Sequence, residues 1–135
     1  MVVVDSSVWI DFFRGTLTPA TRVFKAILSS DDTPIIVPDL VLYEVLRGFR
    51  AERDYRNALQ LLAGYTWESA FDPALAQEAA QHYRAMVSQG FTIRSPLDVM
   101  IAAFCIDRDY LLLHSDRDFD VLHALRGLKI WELSK

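Results

Sequence analysis

A single cysteine, Cys105, stands among 135 residues. An internal disulfide is therefore excluded. The thiol lies in the apolar run Ile101-Ala102-Ala103-Phe104-Cys105-Ile106 and reads as a small buried hydrophobe rather than a nucleophile. A reducing cytoplasm suits such a chain. No apolar run approaches the length of a membrane span. The opening MVVVDSS has neither the basic n-region nor the long apolar h-region of a signal peptide. Lysine is scarce, with none between Lys25 and Lys129. Fourteen Lys and Arg face eighteen Asp and Glu, a formal net charge of −4. That balance does not favour indiscriminate binding to nucleic acid, where Lys and Arg neutralise phosphates, although a local patch or a bound cation can supply what the total lacks. Internal repeats, low-complexity tracts and Pro/Gly/Ser linkers are missing too. With 52% apolar and 24% charged residues, the chain is expected to form one domain over residues 1–135 with a real core.

What is present alternates between two patterns. Short aliphatic runs at Val2-Val3-Val4, Ile35-Ile36-Val37 and Leu111-Leu112-Leu113 suit strands buried on both faces. Leu128-Lys129-Ile130-Trp131 is a weaker fourth, and Tyr65-Thr66-Trp67 a candidate edge strand. Between them, Val8, Trp9, Phe12 and Phe13 recur at helical spacing. So do Leu42, Val45, Leu46 and Phe49 after Asp39, a candidate N-cap. Ala58, Leu59, Leu61 and Leu62 end before Gly64, and Leu75, Ala79, Tyr83 and Met86 run from Pro73 toward Gly90. Ser95-Pro96-Leu97-Asp98 reads as a helix start, with Ser at the N-cap, Pro at N1 and Asp at N3. Strands alternating with helices predict an α/β fold with a mostly parallel sheet.

In open parallel sheets, ligands bind outside the carboxyl ends of the strands. Four acids are candidates for that place. Asp5 ends the first run, Glu44 follows the second, Asp98 opens a helix, and Asp116 follows the third run within HSDRDFD, residues 114–120. Gathered together, four carboxylates cannot all stay ionised without a counter-charge. A hard divalent cation, Mg²⁺ or Mn²⁺, takes oxygen ligands and supports phosphodiester hydrolysis. Each acid also has a purely structural reading. Asp98 would complete a Ser95-x-x-Asp98 capping box, Asp5 would cap the first helix, and Glu44 would sit at the solvated edge of a helix face. Asp118 would close a Ser115-x-x-Asp118 capping box, and Asp120 would be solvated.

The motifs resemble those of the PIN-domain ribonucleases, in particular the VapC-type toxins of bacterial toxin–antitoxin pairs. VVVDSSVWIDFFRG resembles the first family motif and VPDLVLYEVLRG the second. GFTIRSPLDVMIAAFCIDRDYLLLHSDRDFD resembles the third and fourth together, over nearly the whole chain and in order. The resemblance implies a PIN-like α/β domain, with a central sheet of four to five strands and helices on both faces. It implies an Mg²⁺- or Mn²⁺-dependent endoribonuclease that hydrolyses RNA by metal-activated water, a homodimer, and a small VapB-like antitoxin that blocks the pocket. Asp5, Asp98, Asp116 and Glu44 match the catalytic and metal-binding positions. Ser6 or Ser7 would orient a carboxylate or water, and Asp118 would reach the metal only through water. The family often has Thr or Ser, then Asp or Asn, near the end of the last strand. His114-Ser115-Asp116 stands there instead, leaving Ser115 to take the hydroxyl role.

Cationic side chains are the candidate contacts for RNA or an acidic antitoxin tail. Arg47 and Arg50 begin a three-residue repeat that continues to Arg53 and Arg56, whereas Arg94 and Arg117 lie near the acids. Exposed aromatics would stack on unpaired bases. Other acidic-pocket folds fit less well. A receiver domain needs a lysine at a late strand end, and an aspartate-based phosphatase needs Asp-x-Asp after the first strand, where Asp5-Ser6-Ser7 stands. A non-catalytic RNA-binding or protein-interaction module of the same fold is the alternative of another class, and it would not need all four acids.

Overall fold

Three consecutive valines crowd a helix but pack well on a pleated strand. Val2–Val4 accordingly forms strand β1 in the computed structural model, which describes residues 1–133. Ile35–Pro38 forms β2, Thr66–Glu68 forms β3 and Leu111–Leu113 forms β4. The pairings are parallel, in the order β3-β2-β1-β4. Val2 stands opposite Ile35 on one side and Leu111 on the other. All three valines are fully buried. Successive strand side chains point to opposite faces, so both faces of the sheet are covered, as the α/β reading expects.

The run at residues 128–131 does not become a strand. It contributes one parallel bridge, between Leu112 and Ile130. The Leu112 N–H donates to Lys129 O and the Trp131 N–H to Leu112 O, both at 2.9 Å. Only Leu128 of the four is buried, and an exposed lysine interrupts the apolar run. The expected edge strand does form, as β3, one residue later than its pattern suggests.

Among the described residues, seven helices connect and cover the strands: α1 Ser6–Arg14, α2 Pro19–Leu28, α3 Asp39–Leu46, α4 Glu52–Leu62, α5 Pro73–Ser88, α6 Pro96–Arg108 and α7 Arg117–Arg126. Helix α2 lacks a counterpart in the periodicity reading. Its start is nonetheless written locally. Thr18 Oγ1 accepts from the Thr21 N–H at 3.0 Å, Thr21 Oγ1 accepts from the Thr18 N–H at 2.8 Å, and Pro19 occupies the first turn. Asp39 is not the cap of α3 but its first residue, with Pro38 in the cap position. Its Oδ1 accepts from Leu40 N at 2.8 Å and from Ala70 N at 3.0 Å, so it ties the start of α3 to the segment after β3. No helix among the described residues is long and apolar enough to cross a membrane.

An aromatic cluster joins α1 to α2. Trp9, fully buried, meets the edge of Phe24 at 4.6 Å between centroids, and Phe12 meets Phe24 at 5.2 Å. Cys105 is buried in α6 as expected, and burial pushes its thiol pKa upward. The cluster fixes the start of α1, where Asp5 sits, so its loss should be felt as stability. Phe24→Ala should cost about 3–5 kcal/mol in denaturant unfolding, the usual range for emptying a buried phenylalanine site.

Candidate active site

The acids assemble because of where helices begin. Asp5 follows β1 and is the N-cap of α1. It accepts from the Ser7 N–H at 3.2 Å and from the Ser7 hydroxyl through Oδ2. The Asp5 N–H donates to Leu113 O at 2.9 Å, which locks the end of β1 to the end of β4. Asp116 is the N-cap of α7, and its Oδ1 accepts from the Asp118 N–H at 2.9 Å. Asp98 lies in the first turn of α6. Three helix N-termini thus face one acidic patch, and their partial positive charge favours carboxylates there. Glu44 comes from the second half of α3, held by a 3.0 Å hydrogen bond from the Ser6 hydroxyl to its Oε1.

Of the expected site residues, Asp98 and Asp116 come together with Asp118. One carboxylate oxygen from each of the three lies within 4.8 Å of the others. Asp118 is therefore more central than its sequence reading. No Ser115-x-x-Asp118 capping box exists, because Asp116 caps α7 and leaves the Asp118 carboxylate facing the other acids. Nor does Ser95 form a side-chain cap with α6, so Asp98 is free of the capping role its spacing predicts. Asp5 and Glu44 stand beside this group. Burial first, then the charges of Asp5, Asp116, Glu44 and Asp118, push the Asp98 pKa up to about 7. Burial also raises that of Asp5 against the opposing hydrogen bonds from Ser7, and Glu44 adds to the rise.

Two carboxylate oxygens, Asp5 Oδ1 and Asp118 Oδ2, are buried without a hydrogen-bond partner among the described residues. A buried acceptor left unsatisfied costs about 1–3 kcal/mol, more when charged. Such atoms, in an all-oxygen set of crowded acids, fit a hard cation.

Around the acids, the other expected residues separate. Ser6 and Ser7 orient Glu44 and Asp5 as just described. Ser115 is exposed, and its hydroxyl has no hydrogen-bond partner among the described residues. Asp120 is exposed as expected, yet its Oδ1 lies 3.4 Å from His114 Nε2. The arginine repeat is not one helix face. Arg47 ends α3 over the Tyr43 ring at 5.5 Å, Arg50 lies in the connection to α4, and Arg56 pairs with Glu52 at 3.1 Å. Arg94 and Arg117 line one pocket with Phe91 and Asp118, directly beside the acids. Nothing in the spacing of Phe91 marks it as part of that wall.

Residues 2–125 match the PIN domain family, and the chain belongs to that family. Ribonuclease VapC11 of Mycobacterium tuberculosis is 30% identical over 129 residues, covering 96% of each chain. Two solved structures share the fold at low identity. VapBC2 from Rickettsia felis, bound to a DNA fragment from its promoter, matches with a TM-score of 0.77 at 13% identity, covering 99% of this chain and 100% of the other. A toxin–antitoxin complex from Klebsiella pneumoniae matches with a TM-score of 0.65 at 14% identity, covering 98% and 97%.

The raised carboxyl of Asp98 sets a direction for stability. Between its unfolded value of 3.8 and about 7, the metal-free folded chain holds a proton that the unfolded chain has released. Folding stability must then fall as pH rises through that window. In EDTA, the melting temperature should drop from about pH 5 to about pH 8, and Asp98→Asn should flatten the slope and melt higher than the native protein at the upper end.

Proposed function

We propose that this chain is a metal-dependent endoribonuclease, the toxin of a toxin–antitoxin pair acting in the cytoplasm, with residues 1–135 working as one PIN-like nuclease domain. One observation carries the reading. Buried carboxylate oxygens without partners sit in an acidic patch that holds Asp98 near neutrality in its affinity for protons. The likeness to VapC11 supports RNA as the substrate.

Asp98, Asp116 and Asp118 would hold Mg²⁺ or Mn²⁺, with Asp5 and Glu44 binding it directly or through water. Bound there, the ion supplies a Lewis acid for phosphate oxygens and lowers the pKa of water. The chain's own residues do the rest. The Ser6 hydroxyl fixes Glu44 through Oε1, leaving Oε2 to accept a hydrogen bond from the attacking water. Ser7 fixes Asp5 through Oδ2, which leaves the partnerless Oδ1 as the oxygen that would serve the ion. Arg94 and Arg117 hold substrate phosphate at the rim, and Phe91, 41% exposed, offers a face on which an unpaired base can stack. Water is the nucleophile. The one thiol is buried, and the Ser6 and Ser7 hydroxyls are already committed to carboxylates.

A small VapB-like antitoxin and a second copy of the chain are the proposed protein partners. The antitoxin fits the apolar groove lined by Ile10, Phe13, Val45 and Phe49, with Arg14 and Arg50 at its margin for an acidic tail. The likeness to a toxin–antitoxin complex supports that occupant. Arg47 stands at the start of the same connection.

Cleavage of RNA should require Mg²⁺ or Mn²⁺, stop with EDTA, and fall at least ~100-fold in Asp5→Asn and in Asp98→Asn, a loss of several kcal/mol in transition-state stabilisation. RNA bound but not cut by the native protein would favour the non-catalytic module instead. Arg94→Ala and Arg117→Ala should raise KM more than they lower kcat, and each should reduce the salt dependence of RNA binding by about one unit of slope.

A further inference from the structure

His114 directly follows β4, and it is only 6% exposed. Its ring packs on Phe119 with centroids 5.1 Å apart. Both ring nitrogens are engaged. Nδ1 accepts from the Asp116 N–H at 3.1 Å, and Nε2 lies 3.4 Å from Asp120 Oδ1. An N–H cannot point at another N–H, so the ring proton belongs on Nε2, facing the carboxylate.

The contact from His114 to Asp116 has the form of an Asx turn, in which a side-chain acceptor takes the N–H two residues on. Asp116 repeats the form at once, accepting from the Asp118 N–H at 2.9 Å. Two side-chain turns overlap, so residues 114, 116 and 118 form one continuous chain of hydrogen bonds. Its last two members are two of the three clustered acids. Ser115, between them, points to solvent and joins nothing among the described residues.

We propose that His114 is a positioning residue. Its Nδ1 holds the Asp116 backbone so that the Asp116 and Asp118 carboxylates meet Asp98. Asp120 completes the device by fixing the ring's tautomer. The inference rests on the metal-site reading for its consequence, but not for its geometry.

The rule for substitution follows from the acceptor, not from the ring. Asparagine at 114 can present Oδ1 to the same N–H, whereas phenylalanine keeps the ring and loses the acceptor. Mn²⁺ binding, followed by calorimetry and electron paramagnetic resonance, should weaken about ten- to a hundredfold in His114→Phe. It should stay close to native in His114→Asn and in Ser115→Ala. In metal-free protein, exchange of the Asp116 amide should be faster in His114→Phe and near native in His114→Asn. Mn²⁺ affinity unchanged in His114→Phe, or equally weakened in His114→Asn, would overturn the proposal.

Nitrogen NMR of the native, metal-free protein decides the matter without any variant, and so stands even if His114→Phe fails to fold. A proton on Nε2 and a slowly exchanging Asp116 amide support the positioning role. A proton on Nδ1 refutes it. If the native protein ignores Mn²⁺ while its His114 tautomer is as stated, the metal reading fails and the positioning geometry survives.

Discussion

Like charges held together in a half-dry cleft are the constraint around which this structure is arranged. Asp5, Glu44, Asp98, Asp116 and Asp118 repel one another, and folding removes much of the water that would screen them. The fold answers partly with backbone dipoles. Helices α1, α6 and α7 all begin at the patch, and two of the acids serve as caps of the helices they start. Parallel strands make this possible, since each delivers its following helix to the same edge. Adjacency of β1 and β4, sealed by the hydrogen bond from Asp5 N to Leu113 O, brings the starts of the first and last of those helices to neighbouring strand ends.

The site and the core are therefore not separable. Asp5 belongs to both, capping the helix that carries Trp9 into the aromatic cluster while its other oxygen stays buried without a partner among the described residues. The Ser6-Ser7 pair shows the same economy. Adjacent residues reach Glu44 and Asp5 because the first turn of α1 points successive side chains in different directions. A disturbance of the α1–α2 packing should consequently be transmitted to the acids, and charge changes at the acids should alter the stability of α1.

Much of this was legible from residue order because the signals were local. Three aliphatic runs became β1, β2 and β4, and Ser95-Pro96 opened α6 where its chemistry placed it. Legibility failed where two local rules competed. Ser115 and Asp116 are both good caps, and Asp116 takes the position, which releases Asp118 into the cluster. Asp39 was readable as a cap until Pro38, still in β2, took that position. Helix α2 is poorly legible because its Thr18-Pro19-x-Thr21 start lies beyond the periodic run of Val8, Trp9, Phe12 and Phe13. The arginine repeat was misleading for the opposite reason. A regular three-residue spacing crosses a break between α3 and α4, so periodicity existed without a helix to carry it. His114 is the hardest case, since its partner is a backbone N–H two residues on, and a backbone partner leaves no mark in the sequence.

The sheet's two flanks have a further meaning. On one side β3 is only three residues long, with the Trp67 indole N–H donating to Leu62 O at 2.8 Å and Glu68 held by Arg108 and Tyr110. On the other, the backbone at 129–131 already occupies the groups of Leu112 that point outward. A strand offered by another chain finds a short, encumbered ledge on one flank and an occupied one on the other. Strand addition is thereby narrowed to the three residues of β3, and helices and grooves offer the broader surface for association.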